Sequence, residues 1–327
     1  MKKKLLALAM ALVVATCSLT VAGCKKKEES KEKLVVAYQS SIAYAPIIVM
    51  MNQEIIEKNY KEATGKEIEV DWQLMANGAA INDGIVAGQI DIGTLGAAPA
   101  ITGMQAGIPY KIFSGISSQP YGILTNDDSI NSLADIKDDQ QIAITNINSQ
   151  PHILLAMAAK AELGDAHKLD NNLTVLANAD GYAALTSGAV ACHMVISPYN
   201  FMEEQTEGIH NIEIGEDIWP DGNTFIVGVA STKLEKDNPE LYKVVCDSME
   251  DAMEYIKANP EETAELLSKE YDATKEEILE WMSDPGSQYE TTLQGVMDLA
   301  NFMKEAGFSE QAPSDLSEIA FSNVKGN

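Results

Sequence analysis

Short β-branched runs alternate with apolar helical stretches along this chain, and the alternation occurs twice in the same order. Leu34 to Tyr38 reads as a strand. The polar Gln39-Ser40-Ser41 follows, and Pro46 opens an apolar stretch to about Lys58, which predicts a helix with proline in its first turn. Gly65 breaks the chain, and Ile68 to Trp72 alternates as a strand does. Asn77-Gly78, a short helix and Gly88 lead to a third strand, Ile90 to Gly93, and the small-residue loop Gly96-Ala97-Ala98-Pro99. The second copy has a strand at Gln141–Thr145, a polar loop at 146–150 and a helix opened by Pro151 and closed by Gly164. Strands at Leu173–Leu176 and Val190–Ile196 complete it, with the loop Asn178-Ala179-Asp180-Gly181 between them. Alternating strands and helices predict parallel sheets covered on both faces. In such sheets ligands bind beyond the carboxyl ends of the strands.

The connections complete the plan. Lys111–Ser114 is a further strand of the first half, Tyr121–Leu124 crosses to the second, and Phe225–Ala230 returns. Two crossings form a hinge between two bodies. The domains expected are residues 34–120 with 225–327, and residues 121–224. The last third is helical: Asn238-Pro239-Glu240 and Asn259-Pro260-Glu261 are start signals, Ala273-Thr274 opens another helix, and Thr291–Ala306 gives a fourth, ended by Gly307. Leu241, Val244, Val245, Ser248, Met249 and Ala252 share one helix face, expected to pack on the first domain.

The N-terminus adds an address. Lys2-Lys3-Lys4 precede an apolar run from Leu5 to Ala15 that is too short for a stable span. Val21-Ala22-Gly23-Cys24 resembles a bacterial lipobox, which implies a signal peptide over 1–23, lipidation of Cys24 and anchoring at the extracytoplasmic face of the cell membrane. Residues 24–33 lack an apolar core and read as a tether. The formal charge of −26 makes nucleic acid an unsuitable partner. All 23 basic residues are lysines, so no bidentate guanidinium is available for an anion. Cys192 and Cys246 read as two separate buried thiols, and the cysteines have no metal-type spacing.

Leu34–Gln39, the run Gly88-Gln89-Ile90-Asp91-Ile92-Gly93 and the Gly96–Pro99 loop together resemble the solute-binding proteins of nitrate/sulfonate/taurine-type ABC importers. Ser132–Lys137 and Ser187–His193 with Ser197-Pro198-Tyr199 are similar to later motifs of that family, although Ala191-Cys192 stands where the family has Asp-Ala and Tyr199 where it has a second proline. The resemblance implies an α/β, type II periplasmic-binding-protein fold with a central cleft. It further implies a small-molecule ligand, permease and ATPase partners, a monomer, and neither cofactor nor metal. Because such proteins take anions or heterocycles, the ligand stays open between a nitrate-, sulfonate- or taurine-like anion and a neutral heterocycle such as a thiamine-precursor pyrimidine. An enzyme on the same plan and a lipoprotein scaffold or adhesin with no small ligand are the remaining alternatives; against the enzyme, the chain carries no HExxH and no GxxxxGK(S/T).

Strand-end position and motif match together nominate the binding residues. In the first half these are Gln39, Ser40, Ser41, Tyr44, Asn77, Gly78, Gly96 and Ala97. In the second half they are Ser149, Gln150, His152, Asp180 and Tyr199, and Asn223 and Thr224 precede the returning strand. Free N–H groups at the helix start near Pro151 would favour an anion. His193, within an apolar strand, reads as a buried hydrogen-bonded histidine, and Trp219 as a candidate stacking platform.

Overall fold

The computed structural model describes residues 32–212, 214, 218–271 and 273–327. The expected signal peptide, the expected lipidation residue Cys24 and most of the expected tether lie outside the described residues.

Two five-stranded sheets organise the fold, each forming the centre of a lobe. The first half supplies β1 Glu32–Tyr38, α1 Ala45–Gln53, α2 Ile55–Thr64, β2 Ile68–Leu74, α3 Gly78–Val86, β3 Ile92–Gly96, α4 Ala97–Gln105 and β4 Tyr110–Ser117. The second supplies β5 Tyr121–Thr125, β6 Ile142–Ile144, α5 Gln150–Leu163, β7 Leu173–Val175, α6 Asn178–Thr186, β8 Cys192–Ile196, α7 Tyr199–Glu204 and β9 His210–Ile212. β10 Ile226–Ser231 then returns, followed by α8 Thr232–Asp237, α9 Pro239–Ala258, α10 Pro260–Leu267, α11 Lys275–Met282 and α12 Val296–Glu305. The sheet orders are β2-β1-β3-β10-β4 and β7-β6-β8-β5-β9.

The sheets are mixed rather than wholly parallel. β1, β2 and β3 run parallel, as do β6, β7 and β8, but β10 is antiparallel to both β3 and β4, and β5 to both β8 and β9. The reason lies in the crossings: β5 and β10 arrive from the other lobe and enter their sheets from the opposite end.

Local chemistry sets the element ends. The helix expected from Pro46 to Lys58 is divided at Glu54, whose φ of 50° is left-handed. α1 is apolar and buried from Ala45 to Met50, whereas α2 buries only Ile56 and Tyr60, so each half needs its own axis. Asn238 caps α9 by accepting from the Leu241 N–H at 3.2 Å. Asn259 does not cap α10, because its amide turns back to the Tyr255 carbonyl. α12 begins at Val296 rather than Thr291, since Gly295 at φ 71° interrupts the chain before it. The expected α9 face from Leu241 to Ala252 is buried and lies on α1, α2 and β4. Each Leu, Ile or Met so covered contributes about 1.5–3 kcal/mol. Cys192 and Cys246 are free thiols, both pushed up to about 11 by burial. His193 is fully buried and 2.6 Å from Glu203.

Candidate ligand-binding site

The carboxyl ends of parallel strands from both sheets face a cavity of about 60 Å³. From the first lobe it is lined by Gln39, Ser40, Ser41 and Tyr44 after β1, by Asn77 and Gly78 at the start of α3, and by Gly96. From the second it is lined by Thr145 and Asn146 after β6, and by Ser149 and Gln150 at the start of α5. Asn178, the first residue of α6, lies on the same wall. Pro99, Pro151, Ile196, Phe225 and Ile226 supply apolar surface.

Four helices therefore begin at this cavity: α3, α4, α5 and α6. Asn77 Oδ1 accepts from the Ala80 N–H at 2.9 Å, and Ser149 Oγ from the His152 N–H at 3.3 Å. The first turns of these helices bring partial positive charge without any cation. Among the described residues, no lysine, histidine, aspartate or glutamate lines the cavity. Tyr44 is held neutral, its hydroxyl pushed well up by burial. That hydroxyl accepts from Gln39 Nε2 at 2.6 Å, which leaves its own hydrogen to donate.

The lobes meet directly at this cavity. Ser41 Oγ donates to the Ser197 carbonyl at 2.6 Å, and the Ala98 N–H donates to Gln150 Oε1 at 2.8 Å. The second contact fixes the Gln150 amide, because its oxygen must face Ala98. Its Nε2, like Asn178 Oδ1, is then buried without a protein partner among the described residues. Such a group costs about 1–3 kcal/mol unless something satisfies it.

Nine of the nominated residues line the cavity: Gln39, Ser40, Ser41, Tyr44, Asn77, Gly78, Gly96, Ser149 and Gln150. Six do not. Ala97 is fully buried, with its N–H on the Phe225 carbonyl. His152 points away, its Nδ1 accepting from the Asn148 N–H and its ring edge-on to Phe308. Asp180 is two residues into α6 from Asn178 and is exposed, because that step rotates a side chain some 200° about the helix. Tyr199 packs towards Tyr182, ring centres 6.2 Å apart. Asn223 lies against Gly295, and Thr224 bonds to Gln294 through both its N–H and its hydroxyl, so this pair braces the return crossing. Thr145, Asn146 and Asn178 were legible as strand-end polar positions, whereas Phe225 and Ile226 carry no sequence signal for a binding role. Trp219 is buried and does not line this cavity.

The putative aliphatic sulfonates-binding protein of Escherichia coli (strain K12) is 23% identical over 271 residues, covering 82% of this chain and 79% of the relative. The crystal structure of the periplasmic aliphatic sulphonate-binding protein from Escherichia coli superposes with a TM-score of 0.67 at 21% identity, over 90% of this chain and 94% of that one. The alkanesulfonate-binding protein from Xanthomonas axonopodis pv. citri, bound to MOPS, superposes with a TM-score of 0.71 at 16% identity, over 90% and 98%. These matches carry the periplasmic-binding-protein fold, with two mixed sheets and helices. The NMT1-like family model matches residues 27–269, and with that span, most of the chain, this protein belongs to the NMT1-like family.

Proposed function

We propose that this protein is the extracytoplasmic solute-binding receptor of an ABC importer, tethered through lipid on Cys24. It holds a small anion of nitrate, sulfonate or taurine type between its lobes and delivers it to a permease and ATPase. Residues 34–120 with 225–327 form one closing body and residues 121–224 the other, and the receptor works as a monomer without turnover. The observation that carries this reading is the uncharged cavity at which four helices begin, with hydroxyl and amide donors around it. Helix N-termini and neutral donors take an anionic head without a counter-cation.

A neutral heterocycle is the second reading. The absence of arginine and the flanking Phe225, Ile196 and Ile226 favour it. Thermal unfolding with taurine, alkanesulfonates, nitrate and aminopyrimidines separates the two. A compound at about 100 times its Kd adds roughly 2.7 kcal/mol to the folded state. Stabilisation by an anion, recovered unchanged after incubation, is the expected result. Stabilisation by aminopyrimidines alone transfers the assignment to the heterocycle, and chemical conversion of any bound compound defeats the receptor reading.

Cys24→Ser is expected to move the protein from the membrane fraction to the soluble fraction with solute affinity unchanged. A variant that stays with the membrane defeats the lipid-anchor assignment.

A further inference from the structure

His167 stands between two groups that can only accept hydrogen bonds. Its Nδ1 is 2.8 Å from an Asp170 carboxylate oxygen, and its Nε2 is 2.6 Å from the Ala306 carbonyl oxygen. A neutral imidazole has one N–H to give and an imidazolium has two. The arrangement is therefore complete only when the ring is protonated. Ala306 is the C-cap of α12, where the negative end of the helix dipole also favours a cation. α12 packs on α4 of the first lobe, and His167 follows α5 of the second. The contact thus joins the lobes away from the cleft, and the Phe308 ring lies 4.7 Å from His167 beside it.

We propose that His167 is a proton-operated latch, whose imidazolium ties the second lobe to the end of α12 and favours the closed arrangement in acid. The proposal rests on the two-lobed receptor reading in one respect, that the lobes can separate. Several titratable groups surround the ring. The Ala306 carbonyl and then Asp170 raise the His167 pKa, and Asp165 adds to them. His152 faces the same Asp170, with its Nε2 3.9 Å from the carboxylate, and α12 brings Lys304 and Glu305 in its last turn. His152 does not share the role, because burial lowers its pKa and its Nδ1 already accepts from the Asn148 N–H. The sign follows from the closed form holding the proton more tightly. Its gain is complete below the ordinary histidine value of about 6.5 and is lost as pH rises through the raised value.

The test uses solute-free protein, so its failure is independent of any ligand assignment. Histidine-selective NMR follows the His167 ring, and small-angle X-ray scattering follows lobe closure between about pH 5.5 and 8.5. The expected result is a His167 pKa above about 6.5, lowered in Asp170→Asn. The closed-to-open ratio is expected to fall about 2- to 5-fold with rising pH, modest because the ring is half exposed. His167→Gln, which stays neutral, is expected to abolish that response. An ordinary or lowered His167 pKa, a wild-type closure that ignores pH, or a response that survives in His167→Gln overturns the latch.

Discussion

Gly96→Trp is expected to abolish solute binding while leaving the fold in place. Gly96 ends β3 beside Ile226 of β10, with φ at −57°, a value any residue adopts. A Cβ built there would lie 3.1 Å from Gln150 Cβ and 3.3 Å from Pro99 Cδ. The first of these is the facing lobe. An indole at that point, flanked by the cavity-lining Gln150 and Pro99, would occupy the cavity. It would displace solute and hold Gln150 away from the Ala98 N–H. The compound that stabilises the wild type by about 2.7 kcal/mol is expected to give the variant none. The solute-free variant should melt within about 3 °C of the wild type, equivalent to roughly 1 kcal/mol for a chain of this size. Binding at wild-type strength would show that solute enters elsewhere.

The sequence made the strand ends legible because turn chemistry is local. Pro151 after Ser149, Asn77 before Gly78 and the polar Gln39-Ser40-Ser41 each mark the point where a strand stops and a helix begins. In a sheet with helices on its faces that point is the cleft, so most of the first-lobe residues could be named without a structure. What stayed hidden depends on rotation and on distance along the chain. Gln150 faces the cavity and His152 does not, although they are only two positions apart, since their directions around α5 differ by about 200°. The same step separates Asn178 from Asp180. Phe225 and Ile226 look like ordinary strand residues, and only their place at the start of the return crossing brings them to the cavity. The contact of His167 with Ala306 joins residues 139 positions apart, and no local pattern announces it. The division at Glu54 was equally silent, because glutamate is a good helix former and its left-handed backbone follows from how α1 and α2 pack.

His193→Leu is expected to cost roughly 3–5 kcal/mol of folding stability, because it leaves Glu203 buried without its partner. His193 Nδ1 and Glu203 Oε1 are 2.6 Å apart, and neither side chain reaches solvent. The ring packs against Gly181 of α6, where a Cβ would lie 2.5 Å from Nε2. Burial pushes the Glu203 carboxyl up, and the histidine beside it opposes that rise. Removing His193 removes the opposition, so Glu203 in the variant takes up its proton more readily still. A carboxyl raised in the folded state favours folding in its protonated form. That contribution is present below the ordinary glutamate value of about 4.3 and is lost as pH rises through the raised value. The deficit of His193→Leu relative to wild type should therefore be smaller at about pH 5 than at pH 8. His193→Leu combined with Glu203→Met replaces both partners with apolar side chains and should recover most of the loss, within about 1–2 kcal/mol of wild type. Urea unfolding of the three proteins at both pH values measures this. A double variant no better than His193→Leu would mean that ring packing, not the charge left on Glu203, holds this part of the second lobe together.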